Sequence, residues 1–523
     1  MKTVFILKRR IAFFNILKWF LASVFIGAVV GVFNAMFLKL LSAALSVTNS
    51  FPLYFLALPL GFLIVNHLAV KVYPHDKDFS TNDAIAAINE KRPMSLISAA
   101  KAFFLPVITI ACGGSAGKES PCADVGAGVA SFCSKLFFFN KQERRKLMIC
   151  GVSAGFAGVF GVPISGALFG LEVLSVGTVF YEVMFPAFIS GITSFQVTQL
   201  FGVEYIYHPM SLQALQLDSS LLQVFAGGIF FGFVSLLFIE VLRFTKILFR
   251  FISVKFSPFW KCFIAAALLI LLALLTSPAF LGLSMERVDA LLAGKDGILF
   301  GFVYKIIATA LTFAGGGVGG MITPVFFIGA NAGYFFADII GLNTATFAAL
   351  GIVSVLAGVA NTPLAASIMA IELFGASVAP YAAVSCIVSF LITGRRSIYD
   401  KQHFAFDKDM SEDYDDTQEQ EQDIKQLEKT LNKKNFILAS FKHLIPEINK
   451  ENSPEAQSAL KGKKKKQNKK SAPQQTVQTQ EQAKQEQLKS VSERESKKKK
   501  KDSVLSHLIL SFDDDIPEED KKD

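Results

Sequence analysis

The sequence predicts an all-α polytopic membrane protein in which tilted and broken helices recur as two related halves. Three observations carry this reading: a body almost stripped of charge, apolar runs interrupted by Gly and Pro, and an internal repeat at a near-constant offset. The chain has 523 residues, 52% hydrophobic and 18% charged, with mean hydropathy +0.44 and formal charge +9. A soluble chain carries about 25% charged residues, and here the deficit is uneven. Residues 401–523 hold 25 basic and 25 acidic residues, leaving 27 of the 52 basic and 18 of the 43 acidic residues for the first 400. A body so sparse in charge is no water-soluble globule, which excludes soluble-enzyme and nucleic-acid-binding readings of it. The excess charge reads as topology. Lys2, Lys8, Arg9 and Arg10, then Arg144, Arg145 and Lys146, then Arg395 and Arg396 flank apolar spans, as basic residues do on the cytoplasmic side. This predicts an integral protein of the cell (inner) membrane, with both termini cytoplasmic and the lipid bilayer as its surroundings.

A hydrocarbon core of about 30 Å needs roughly 20 apolar residues per helix. Residues 11–45, 51–72, 221–248, 262–283 and 299–313 qualify as spans or near-spans. The first is too long for a signal-peptide core. Between them lie shorter segments, 95–112, 122–139, 147–174, 179–201, 324–340, 346–360 and 363–392, many broken by Gly or Pro. Broken helices at membrane depth are tolerated where they are buried in protein or line an aqueous cavity. The six cysteines, Cys112, Cys122, Cys133, Cys150, Cys262 and Cys386, show no CxxC or metal-ligand spacing, and they read as small packing residues. No metal or cofactor is called for. Residues 406–450 read as a cytoplasmic segment of helical potential. Residues 451–523, rich in Lys, Gln and Ser, read as a disordered charged tail.

Residues 157–173 align without gaps with 357–373 at an offset of 200, and 113–127 align with 316–330 at an offset of 203. The membrane domain, residues 1–405, is therefore two halves, roughly 50–200 and 250–400. Spacing leaves open whether they are parallel or inverted. Each half carries a Gly-rich loop feeding a helix with Pro in its first turn, at Gly117-Lys118-Glu119-Ser120-Pro121 and Gly320-Met321-Ile322-Thr323-Pro324. Such junctions leave backbone N–H groups unpaired at a positive dipole end, which binds anions. Simple helix breaking for packing is the competing reading, and the recurrence at matching offset favours an anion site. An acidic side chain in an apolar region costs about 2.5–3.5 kcal/mol and marks function. Glu119 at such a junction would compete with the anion until protonated. Lys118 beside it is able to snorkel. Glu172 and Glu372, at equivalent repeat positions, read as hydrogen-bonding or packing groups.

Gly117-Lys118-Glu119-Ser120-Pro121 resembles the Gly-Arg/Lys-Glu-Gly-Pro signature of the CLC chloride channels and proton/chloride antiporters. Gly320-Met321-Ile322-Thr323-Pro324 resembles their Gly-x-Phe-x-Pro motif, and Ser397-Ile398-Tyr399 the segment with their central tyrosine. The resemblance runs from about residue 21 to 399. It implies inverted repeats and a homodimer with one pore per subunit. It makes Glu119 the gating and proton-accepting group, and it places chloride, or another halide, on Gly117, Lys118, the amides of Met321 and Ile322, and the Tyr399 hydroxyl. Three departures follow. The segment that should carry a chloride-binding serine reads Asp78-Phe79-Ser80-Thr81-Asn82, leaving Ser80 as the substitute. Ile322 replaces phenylalanine. Val173 stands where proton-coupled members carry a second glutamate. The expectation is chloride transport gated by Glu119, with an uncoupled voltage- or pH-gated channel favoured by Val173. A proton/chloride antiporter with an atypical inner route and a fluoride-transporting variant are the alternatives. An intramembrane hydrolase is disfavoured, because none of the six histidines sits beside a candidate nucleophile in a span.

Overall fold

A computed structural model describes residues 2–72, 81–210, 219–255 and 258–405. Ser80 and the segments 406–450 and 451–523 lie outside the described residues. Among the described residues the body is helical and its α-helices run as two sets of eight. The first comprises α1 (Lys2–Asn49), α2 (Leu58–Val72), α3 (Thr81–Asn89), α4 (Leu96–Ala111), α5 (Glu119–Leu136), α6 (Lys141–Phe160), α7 (Pro163–Glu172) and α8 (Tyr181–Leu200). The second comprises α9 (Ser219–Lys255), α10 (Pro258–Leu275), α11 (Met285–Leu292), α12 (Gly301–Ala314), α13 (Ile322–Ile340), α14 (Thr344–Ala360), α15 (Pro363–Phe374) and α16 (Ala379–Thr393). Among the described residues, four helical stretches are long and apolar enough to cross a membrane: Phe13–Thr48, Ser220–Arg250, Ile322–Ile340 and Ala376–Thr393.

The two sets pack alike, as inverted repeats. α1 lies on α6 and α8 as α9 lies on α14 and α16; α5 pairs with α6 as α13 pairs with α14. The halves meet where α7 packs on α15 and α2 on α10. Matching of α1 with α9 carries each repeat back to its long first helix. Small residues make these contacts possible, as in membrane helix pairs generally. Gly27 and Gly31 of α1 seat against Ser190 and Ser194 of α8, and Gly228 and Gly232 of α9 seat against Ser385 and Ser389 of α16. At Gly126–Gly151 and again at Gly329–Gly351 the backbones approach so closely that a Cβ would strike a carbonyl.

Two segments that look continuous in sequence are split. Residues 147–174 form α6 and α7, because Gly161 caps α6 in the left-handed region (φ 74°) and Pro163 starts a new helix. Residues 363–392 form α15 and α16, broken at Gly375 (φ 93°). Two short helices outside the apolar segments, α3 and α11, occupy corresponding places, each packed on the helix that follows the Gly-rich loop of its half, α5 or α13. After α16 the chain returns to the first half, where β2 (His403–Phe404) pairs in parallel with β1 (Ser175–Val176).

Glu172 and Glu372 cap each other's halves. Glu372 accepts from Ile164 N (2.9 Å) and Ser165 N (2.8 Å) at the start of α7, and Glu172 from Leu364 N (3.1 Å) and Ala365 N (2.8 Å) at the start of α15. This is the hydrogen-bonding duty expected of the pair. Leaving buried amides unpaired costs about 1–3 kcal/mol. Glu172→Ala should therefore lower the melting temperature in detergent measurably, and a melting curve unchanged from wild type would remove the capping role.

Candidate anion site at the helix junctions

The loops before α5 and α13 run antiparallel and touch. Gly117 N donates to Gly320 O (2.7 Å) and Gly320 N to Gly117 O (2.9 Å), two residues 203 apart in sequence. Each loop is also held by a threonine of the other half. Ser115 N donates to Thr312 Oγ1 (2.9 Å), and Val318 N donates to Thr109 Oγ1 (3.1 Å). Gly113 (φ 99°) and Gly316 (φ 97°) turn the chain in the left-handed region at the start of each loop, which favours glycine. The result is two helix N-termini aimed at one buried point.

Glu119 fills that point. Its side chain reaches from the start of α5 to the start of α13, where Oε1 accepts from Ile322 N (2.6 Å) and Oε2 from Thr323 N (3.3 Å) and Thr323 Oγ1 (2.8 Å). Only 2% of Glu119 is exposed. Hydrogen bonds to a charged group contribute about 1.5–3 kcal/mol each. Three of them outweigh the insertion cost of the acid, about 2.5–3.5 kcal/mol. A Cβ on Gly117 or Gly320 would collide with the carboxylate, so both glycines are needed for the slot. Met321, the N-cap of α13, and Ile322 are buried around it. Lys118 turns away; its backbone N donates to Thr323 Oγ1 (3.3 Å) and its Nζ lies 5.8 Å from the Phe160 ring centroid.

Tyr399 is buried, 2% exposed, and its backbone N donates to Ser397 Oγ (3.0 Å). Thr81, at the start of α3, bonds Ser120 twice: its N donates to Ser120 Oγ (2.7 Å) and the two hydroxyls lie 2.6 Å apart. Val173 is buried at the end of α7. Its carbonyl accepts from Gln402 Nε2 (3.0 Å), which also bonds Ala360 O (3.0 Å), so amide contacts occupy this place. Glu119, Gly117, Met321 and Ile322 thus come together, while the Lys118 ammonium lies toward the Phe160 ring. Thr323 and Thr81 escaped the sequence reading. The signal for Thr323 was present: Ser120 and Thr323 are hydroxyl residues at equivalent places, each directly before proline.

Residues 61–394 match the family described as "Voltage gated chloride channel". The chain belongs to the CLC family. It is 32% identical, over 405 residues spanning 75% of this chain and 88% of the relative, to a "Chloride/fluoride channel protein" of Pseudomonas syringae pv. tomato. Among solved structures it resembles a CLC-type fluoride/proton antiporter, with TM-score 0.70 and 27% identity over 75% of this chain and 99% of that one. A slow cyanobacterial Cl-/H+ antiporter shares the fold, with TM-score 0.63 at 18% identity, over 72% of this chain and 94% of that one. The CLC-type motifs are therefore the segments that this fold brings to its centre.

Proposed function

We propose that this CLC protein is a proton-coupled anion antiporter that moves fluoride and chloride, with Glu119 as the gate and proton carrier. The observation that carries the reading is the Glu119 carboxylate lodged on the α13 amides, where a carboxylate and a small anion are interchangeable ligands. Protonation weakens that hold and frees the slot; the anion then takes the amides, and the proton leaves on the other side. The names of the relative and the structural neighbour support fluoride beside chloride. The anion is held by the amides of Met321 and Ile322, by Gly117 and by the Tyr399 hydroxyl, with Ser80 or its neighbour Thr81 completing the inner side. The protein acts as a homodimer in the cell membrane with one pore per subunit. Both termini face the cytoplasm, as does the 406–450 segment with its charged tail.

Val173 favours the second reading, an uncoupled channel, because it supplies no carboxylate at the usual inner position. Proteoliposomes loaded with fluoride or chloride decide between them. An imposed anion gradient should drive protons uphill; electrically forced anion movement with no linked proton flux makes the protein a channel. Fluoride flux no faster than that of an empty vesicle would remove fluoride from the substrates.

A further inference from the structure

Gln402 is buried between the two halves, and every hydrogen-bonding position of its side-chain amide is used. Nε2 donates to Val173 O (3.0 Å) at the end of α7 and to Ala360 O (3.0 Å) at the end of α14. Oε1 accepts from Asn361 Nδ2 (3.0 Å) and from Ser397 Oγ (2.9 Å). A primary amide has two donors and two acceptor positions, so none is left over. The orientation is fixed as well. Asn361 Nδ2 also donates to Arg396 O (3.1 Å), so Asn361 presents hydrogen, not oxygen, to Gln402.

These contacts converge on Tyr399. The Ser397 hydroxyl gives its hydrogen to Gln402, and its oxygen then accepts from Tyr399 N (3.0 Å). Gln402 N donates to Tyr399 O (3.2 Å). The backbone on both sides of Tyr399 is thus tied to Gln402, once through Ser397 and once directly. The loop that carries them is held from both halves. Ile398 N donates to Val359 O (3.0 Å) of α14, and His403 N to Leu174 O (3.2 Å) beyond α7. Asn89 of α3 closes the arrangement, with Nδ2 donating to Leu174 O (3.1 Å) and Lys401 O (3.2 Å).

We propose that Gln402 is a positioning residue for anion binding, which fixes the Tyr399 phenol by locking the backbone around Tyr399 against the ends of α7 and α14. The inference deepens the proposed function and rests on its reading of Tyr399 as an anion ligand. The phenol oxygen lies at the far end of its side chain, so a small turn of the backbone at Tyr399 moves it further than it moves Cα. A ligand group has to be held to within about 0.5 Å, and the contacts behind it do the holding. Alanine at position 402 would strip the partner from two carbonyls and from one Asn361 hydrogen. It would also take away the acceptor that aims the Ser397 oxygen at Tyr399 N. Plain fastening of the chain end is the competing reading, and it predicts lost stability with no dependence on the phenol.

The test is fluoride and chloride binding to the purified full-length protein by calorimetry at one pH. Every variant also carries Glu119→Ala, so that neither the gating carboxylate nor its proton contributes. Tyr399→Phe should weaken binding by about tenfold, the loss of one hydrogen bond to a charged ligand. Gln402→Ala should weaken it by a similar factor while Tyr399 is present, but by less than about twofold in the Tyr399→Phe background, the non-additivity of residues that act together. Ser397→Ala cuts only the arm to Tyr399 N. It should cost as much affinity as Gln402→Ala with a smaller fall in melting temperature, and it decides if Gln402→Ala does not fold. Equal losses with and without the Tyr399 hydroxyl, or no loss at all, overturn the proposal. A Tyr399→Phe protein that binds as tightly as its parent removes the anion-ligand reading itself.

Discussion

Glu119→Gln should leave anion flux high at alkaline pH and nearly flat with pH. In the wild type the carboxylate closes α13 through three hydrogen bonds, and falling pH opens the slot by protonating it. Glutamine keeps the shape but not the chemistry. Its carbonyl can take one of the two amides, and its NH2 group then faces the other backbone N–H, with which it cannot bond, and can only donate to the Thr323 hydroxyl. Losing even one charge-assisted bond, about 1.5–3 kcal/mol, corresponds to about tenfold or more in the open population. Flux from proteoliposomes measured over a range of pH checks this. A Glu119→Gln protein with the pH profile of the wild type would show that another group gates the path.

Gly320→Ala, placed in a Glu119→Ala background, should act in the opposite direction and cut flux. A methyl group there would fall among the carboxylate atoms of Glu119, in the space that an anion would take on the same amides. Displacing the carboxylate alone would open the slot, so the single variant is ambiguous and the double variant is not. In a Glu119→Ala background, where no carboxylate remains to be moved, Gly320→Ala should still cut anion flux by about tenfold, since overpacking a close-fitting site costs about 1–3 kcal/mol. Flux equal to that of Glu119→Ala alone would place the permeating anion away from the Gly117–Gly320 contact.

The architecture was legible because membrane sequence obeys few rules. Charge depletion fixed the environment, and the offset of 200 to 203 fixed the duplication. Glu119 was legible as an acid where acids are expensive. What escaped was anything decided by three-dimensional proximity rather than by composition. The break at Gly161 hides in an apolar run, since glycine serves helix packing as well as helix ending. Thr81 lies 39 positions from Ser120, with nothing in its local sequence to link the two. Ser115 and Val318 draw their partners from the opposite half, so Thr109 and Thr312 look like ordinary polar residues in apolar helices until the loops are seen crossing. Gln402 likewise gains its meaning only when the chain returns to meet Val173 and Ala360.

The crossing of the two loops has a consequence for biosynthesis. The carboxylate of the first half is held by amides of the second, and each loop is fastened by a threonine about two hundred residues away along the chain. A ribosome that has released only α1 to α8 into the bilayer has therefore made neither the slot nor its plug. Such distant pairings form late, because loop-closure entropy must be met first. The unfinished chain has no assembled path to short-circuit the membrane, and conduction begins only when the last third of the domain has arrived with its closure already fitted.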